Sequence, residues 1–257
     1  MEEEQEMSFW DHLEALRWTL FRAVVAIVVM MILVFCCKEW VFDVIFAPKN
    51  STFFMYRWLD FIGQWFHIST LRFENFNLKL VNFELTGQFM VHLNIAFWLG
   101  LILSFPYIFF EIWRFVSPAL YQNERRPIVW TFVSGALLFF LGVAVSYVLI
   151  FPVAIRFFFN YHVSDDITNM ISLSSYISLF TTTLICIGAV FELPIVVYLL
   201  SRLGILKRAF MRKYRRHAIV VIAIIAGIIT PADPFTMIAV CIPLVLLYEA
   251  SIYVCKK

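Results

Sequence analysis

Residues 86–110 run for 25 positions without an Asp, Glu, Lys or Arg. At 1.5 Å per residue a helix of that length measures about 37 Å, enough to cross a hydrocarbon layer about 30 Å thick. Similar apolar runs recur along the chain, and they constrain it more than any other feature. The predicted spans are 18–37, 86–110, 127–151, 172–201, 217–231 and 234–254. Hydrophobic residues make up 62% of the 257 positions and charged ones only 15%, against about 25% charged in soluble domains. A water-soluble fold would expose much of that apolar surface. The expected fold class is therefore all-α: one integral membrane domain over 1–257 with six transmembrane helices.

Local signals refine the spans. Arg22 lies near one end of the first, where its stem can snorkel to the interface. Pro127 opens the third, a position that suits a helix's first turn. TPADP, residues 230–234, stops the fifth and starts the sixth. The uncharged core of the fifth, 218–230, is short at about 20 Å, and the fourth, at 30 residues, is long at about 45 Å. Short spans thin a bilayer locally, and long ones tilt or kink. Pro194 supplies a kink because it leaves the carbonyl of Val190 without its helical donor. Splitting the fourth span into two half-helices is the alternative, and it would reverse the last two.

Charge favours six spans. With both termini on one side, that side carries 14 of the 20 Lys and Arg residues, which marks it as cytoplasmic. The chain opens MEEEQEM, acidic where a cleavable signal would be basic, so the first run is read as a retained span. The connection 38–85 lies outside, and its stretch YRWLDFIGQWFHI, 56–68, reads as a short interfacial amphipathic helix. The halves show no inverted repeat, which disfavours common secondary-transporter folds.

Motifs for covalent chemistry are missing. The chain has no Gly-rich phosphate loop with a Lys, no HExxH, no GxSxG and no intramembrane aspartate pair. Its five cysteines, 36, 37, 186, 241 and 255, lack metal-ligand spacing and read as small hydrophobes. His92, one turn after Gln88, reads as an interhelical hydrogen-bond former rather than a ligand. The expectation is no enzyme, catalytic residue, metal, cofactor or nucleic-acid partner.

One charge is out of place. VFELPIVVYLL, residues 190–200, is apolar except for Glu192. An ionised carboxylate there costs roughly 2.5 kcal/mol or more. Either Glu192 is a neutral acid hydrogen-bonded to backbone freed by Pro194, or it lines a wet dimple and meets a polar residue on a partner helix.

Three stretches together carry a resemblance: FWDHLEALRWTLFR (9–22), FPYIFFEIWRFVSPALYQNERRP (105–127), and FELP (191–194) with TPADPFTMIAVCIPLVLLYE (230–249). They resemble the TatC family, the polytopic core of the twin-arginine protein translocase. The resemblance implies a glove-shaped helix bundle with both termini cytoplasmic, in the cytoplasmic (inner) membrane. It implies recognition of twin-arginine signal peptides on folded cargo. It also implies small single-span partners of TatA/TatB type, self-association in a multimeric complex, and export driven by the proton-motive force.

Site residues follow from the matched motifs. Glu124 in the ERR turn matches the family's peptide-binding carboxylate, with Arg125 beside it, and Glu14 and Arg17 stand in the opening motif. Two guanidiniums suit carboxylates in fork geometry. The family's opening motif has its glutamate directly before the second leucine, where this chain has Ala15. Glu14 reaches over, or Glu111 or Asp11 substitutes, or Glu124 acts largely alone. Glu192, Pro194, Thr230, Asp233 and Thr236 are the implied intramembrane and partner contacts. Met237 stands where some relatives carry a polar residue. A proton-coupled small-molecule transporter using Glu192 is the alternative function, and it leaves ALYQNERR without a role.

Overall fold

The computed structural model describes residues 9–56, 58, 78–120, 126–161, 164, 170–230 and 234–255, and nearly all of them are helical. The elements are α1 (Phe9–Cys36), α2 (Lys38–Phe46), a 3-10 turn (Ala47–Lys49), β1 (Leu80–Val81), α3 (Gly87–Leu120), α4 (Arg126–Val145), a π turn (Ser146–Ile150), α5 (Phe151–Asn160), β2 (Ile171–Ser172), α6 (Leu173–Val190), α7 (Leu193–Arg202), α8 (Arg208–Lys213), α9 (Arg215–Ile229) and α10 (Pro234–Val254). Among the described residues, five segments are long and apolar enough to cross a membrane: His12–Cys36, Gly87–Phe115, Phe132–Phe159, Leu173–Arg202 and Thr236–Val254. The fold is thus all-α and polytopic. At 15 residues α9 is about 22 Å long, shorter than a standard span.

α1 and α3 pack antiparallel along most of their length. The crossing is close because Gly100 has no Cβ: one built there would lie 2.8 Å from the backbone nitrogen of Met31. The pairing brings His12 onto Phe115 at one end, ring centroids 4.4 Å apart, and Phe35 onto His92 at the other, at 4.1 Å. The start of α1 and the end of α3 therefore share one end of the bundle. The outward side of α1, with Val25, Val28 and Ile32, stays exposed, as a lipid-facing helix requires.

α4 and α5 form one continuous rod. Pro152 lacks the N–H that would bond the carbonyl of Val148, and the helix widens just before it. The Phe151 N–H reaches back five residues to the Ser146 carbonyl. α4 packs on α6 through two facing glycines: a Cβ on Gly142 would lie 3.0 Å from the Cα of Gly188 and 2.7 Å from Cγ of Phe191. α6 starts with Ser172 as its N-cap, its hydroxyl oxygen accepting from the Ser175 N–H at 3.2 Å.

Two apolar clusters organise the interior. One gathers α1–α6 around Ile45, Ile95, Phe139, Phe151, Tyr176 and Phe180. The other joins the π turn and the end of α6 to the α9–α10 hairpin through Ile150, Ile187, Phe191, Ala226, Val240 and Leu244. At the far end from the α1 start, the Tyr176 hydroxyl donates to the Ile45 carbonyl at 2.7 Å, and β1 pairs in parallel with β2. The expected amphipathic stretch 56–68 lies outside the described residues apart from Tyr56 and Trp58, and the connection begins with helix α2.

Candidate functional site

The shared end of α1 and α3 holds the first group of predicted residues. Glu14 and Arg17 sit on the first turns of α1, both exposed. The two are not joined to each other in an ion pair; the ion pairs among the described residues are Arg22–Glu111 and Arg215–Glu249. Leu120 ends α3 at this same end, and residues 121–125 connect it to α4. Glu124 and Arg125 lie in that connection, outside the described residues, as do the acids at 2–6.

Glu111 is not available to a ligand in the way Glu14 is. It is 3% exposed, and its Oε2 lies 3.2 Å from Nη2 of Arg22. The Tyr107 hydroxyl donates to Oε1 at 3.0 Å. Sequence reasoning named both Arg22 and Glu111 without joining them. The signal was there: an arginine inside one apolar run and a glutamate ending another each need a partner, and antiparallel pairing brings them level. The ion pair pins α1 against α3 one to two turns from Glu14 and Arg17.

Basic side chains surround the rest of this end. α4 runs antiparallel to the α6–α7 segment, since Gly135 faces Ile195 while Gly142 faces Phe191. Arg202 at the end of α7 therefore shares the end at which α4 begins. α8 follows, with Arg212 and Lys213 in its last turn, and Arg215 at the start of α9 binds Glu249 of α10 at 2.7 Å.

Glu192 occupies the break between α6 and α7. Its backbone stays in the helical region, at φ −76° and ψ −10°. Its N–H donates to the Ala189 carbonyl at 3.1 Å, and its carbonyl accepts from the N–H groups of Ile195 and Val196 at 3.0 and 3.1 Å. The segment therefore continues through the break as a kinked rod, with Pro194 buried in α7's first turn. Both carboxylate oxygens are buried without a hydrogen-bond partner among the described residues. The Glu192 side chain therefore makes no bond to the carbonyl of Val190. Its chain neighbours are closely packed. Phe191 is clamped on Gly142, and Ile195 approaches Gly135 to 3.1 Å from an added Cβ.

The hairpin holds the last group. Thr230 is buried, and both its N–H and its hydroxyl donate to the Ala226 carbonyl at 2.9 Å, closing α9. Thr236 is buried in the first turn of α10. Asp233 lies outside the described residues. Met237 turns its sulfur toward Gly227, 3.7 Å from a Cβ built there, so it packs within the hairpin. Glu192, Pro194, Thr230 and Thr236 thus do not form one hydrogen-bonded cluster with Glu14 and Arg17, which lie on the other helix pair. No group of three metal-ligating side chains occurs among the described residues.

A kinked, glycine-packed bundle with a buried unpaired acid and a cation-rich end defines a polytopic α-helical membrane protein. The family model for Sec-independent protein translocase protein (TatC) matches residues 11–243. The chain belongs to the TatC family. It is similar to the Sec-independent protein translocase protein TatC of Blattabacterium sp. subsp. Periplaneta americana (strain BPLAN), at 38% identity over 98% of this chain and 96% of the relative. The TatC of Carboxydothermus hydrogenoformans is 33% identical over 99% of this chain and 95% of its own length. Among solved structures, the crystal structure of the twin arginine translocase receptor TatC in DDM superposes with a TM-score of 0.77 at 28% identity, covering 96% of this chain and 100% of that one. The chain is a component of a Sec-independent protein translocase, and the small-molecule transporter reading falls away.

Proposed function

We propose that this chain is the receptor that binds twin-arginine signal peptides of folded cargo, and the scaffold on which small single-span partners of TatA/TatB type assemble. In this reading it lies in the cytoplasmic membrane with both termini inside, self-associates, needs no cofactor, and performs no covalent chemistry of its own. The proton-motive force drives the export it organises. The peptide's two guanidiniums meet Glu124 and Glu14, and Arg17 and Arg125 belong to the same binding site. Glu192, in the kink before Pro194, offers its buried carboxylate to a polar residue on a partner helix. Thr230, Asp233 and Thr236 form the partner-docking edge of the hairpin.

One observation carries the receptor reading. Antiparallel pairing of α1 with α3 puts an exposed Glu14, not paired with Arg17, at the same end as the 121–125 connection that contains Glu124. Ala15 stands where the family's opening glutamate is expected, and Glu111 is engaged by Arg22 and Tyr107. Glu124 therefore carries most of the recognition and Glu14 the smaller share.

The test is binding of a labelled twin-arginine signal peptide and its twin-lysine variant to the purified protein in detergent. Wild type prefers the arginine pair. A charge-assisted bidentate contact contributes about 1.5–3 kcal/mol, so Glu124→Ala weakens arginine-peptide binding roughly 10- to 150-fold. Glu14→Gln weakens it less. Equal binding of both peptides by the wild type would defeat the receptor reading.

A further inference from the structure

Where α1 finishes and α3 begins, opposite the Glu14 end, lies a cavity of about 930 Å³ open to the exterior. Pockets that hold sizeable ligands run to about 1,000 Å³, so this one has room for more than a small ion. Lys38, Lys49 and Lys79 line it, and among the described residues no acidic side chain does. None of the three joins the ion pairs seen elsewhere in the described residues. The charge count by side makes the cluster unusual. The predicted six-span topology assigns only six Lys and Arg residues to the side opposite the termini, and three of them line this cavity.

The floor is apolar and aromatic. Phe42, Phe46 and Phe89 contribute to it, and the Lys49 ammonium stands 5.0 Å from the ring centroid of Phe46. His92 also lines the cavity. Its ring is stacked on Phe35, and its Nε2 is buried with no hydrogen-bond partner among the described residues. Three ammoniums against low-dielectric walls repel one another and call for a counter-anion. A free anion would satisfy the lysines but leave the phenylalanines facing water. The cavity spans the boundary where the apolar segments ending at Cys36 and starting at Gly87 leave the hydrocarbon. Phosphate groups and the upper parts of acyl chains meet at that depth.

We infer that this cavity binds one anionic phospholipid, its phosphate held by Lys38, Lys49 and Lys79 and its acyl chains lying on Phe42, Phe46 and Phe89. His92 contributes its free nitrogen to the headgroup. The lipid fills the wedge between α2 and α3 and braces the end of the bundle remote from the peptide.

Native mass spectrometry tests this on the full chain in neutral detergent, titrated with dioleoylphosphatidylglycerol or dioleoylphosphatidylcholine. A basic residue near a membrane surface attracts anionic lipid by about 1 kcal/mol, so three of them correspond to roughly 100-fold in affinity. The expected result is one saturable phosphatidylglycerol site, weakened about that much in the triple variant Lys38→Gln, Lys49→Gln, Lys79→Gln. Phe89→Ser, at an exposed position, weakens it as well, and Arg212→Gln at the other end leaves it intact. Equal retention of the two lipids would overturn the inference. So would unchanged phosphatidylglycerol binding in the triple variant, or displacement of the lipid by millimolar inorganic phosphate, which would mark an anion site instead.

Discussion

Removing the positive partner of a buried carboxylate separates a fastening ion pair from a decorative one. Glu111 is 3% exposed, while the Arg22 side chain is 41% exposed, and their closest atoms are 3.2 Å apart. At that distance and an effective dielectric of about 20, the attraction is about 5 kcal/mol before any desolvation. Burying Glu111 cancels much of this, and the exposure of Arg22 screens more. The net coupling expected is about 1.5 kcal/mol. Arg22→Met leaves Glu111 buried with only the Tyr107 hydroxyl, at 3.0 Å, as donor. That variant should lose about 2–3 kcal/mol. Glu111→Gln keeps an acceptor for Tyr107 and lets Arg22 turn toward lipid phosphates, at a cost of about 1 kcal/mol. The double variant should be more stable than Arg22→Met alone, because no unpaired charge remains.

The assay is a double-mutant cycle read by unfolding in detergent, followed by tryptophan fluorescence. Equal and additive losses, with coupling within about 0.5 kcal/mol of zero, would refute the claim that this pair fastens α1 to α3. The same variants should lower signal-peptide affinity even though neither residue touches the peptide in the proposed site, because the α1–α3 register sets where Glu14 stands relative to the end of α3.

Three further outcomes follow from packing and burial. Gly100→Ala pushes a methyl to 2.8 Å from the Met31 nitrogen, where only backbone can yield, so it should cost about 1–3 kcal/mol of stability and shift a cysteine crosslink across the α1–α3 seam. Glu192→Leu removes two buried unpartnered oxygens and should raise detergent stability by about 1–3 kcal/mol while lowering export; loss of both together would mean the acid is a structural element. Tyr56, outside the spans, donates to the Pro48 carbonyl at 2.8 Å, and burial pushes its ionisation upward against a smaller opposing pull from Arg156. A group whose folded pKa is raised contributes stability that is present below its unfolded value, about 10, and lost as pH climbs above it. The stability gap between wild type and Tyr56→Phe should therefore narrow above about pH 10 in alkaline unfolding.

The fold class was legible because a bilayer leaves a crude signature: a helix that must satisfy its own backbone in lipid reads as an uncharged run. What escaped depends on contacts between distant residues. Residues 111–120 look like a loop, with Glu111, Arg114 and Ser117 among them, yet they extend α3. The reason is that Glu111 meets Arg22 and Phe115 meets His12 on a helix about ninety residues away in sequence. The π turn was equally hidden, since Pro152 announces a disturbance without saying that the helix will widen rather than break. Glu192 could be found from sequence alone because it offends its surroundings. Its lack of a partner among the described residues could not, because Pro194 leaves the Val190 carbonyl without its helical donor, and only the geometry shows the side chain not bonding to it.

The unpartnered side chain bears on how the proposed partner contact would work. Glu192 stands at the seam between the two apolar clusters. Phe191, on its N-terminal side, belongs to the cluster of the α9–α10 hairpin, whereas Phe139, against which Gly188 packs, belongs to the cluster of α1–α6. A carboxylate satisfied by its own helix would gain nothing from an incoming donor, since one hydrogen bond would only replace another. Left unpartnered, it favours any helix that brings a polar group to the seam, by the whole desolvation penalty it relieves. Close packing at Gly142 and Gly188 fixes the backbone that leads into Glu192. In the proposed function the destabilisation stored at Glu192 is the source of its affinity for a partner, and on that reading stability and export should move in opposite directions when it is replaced by leucine.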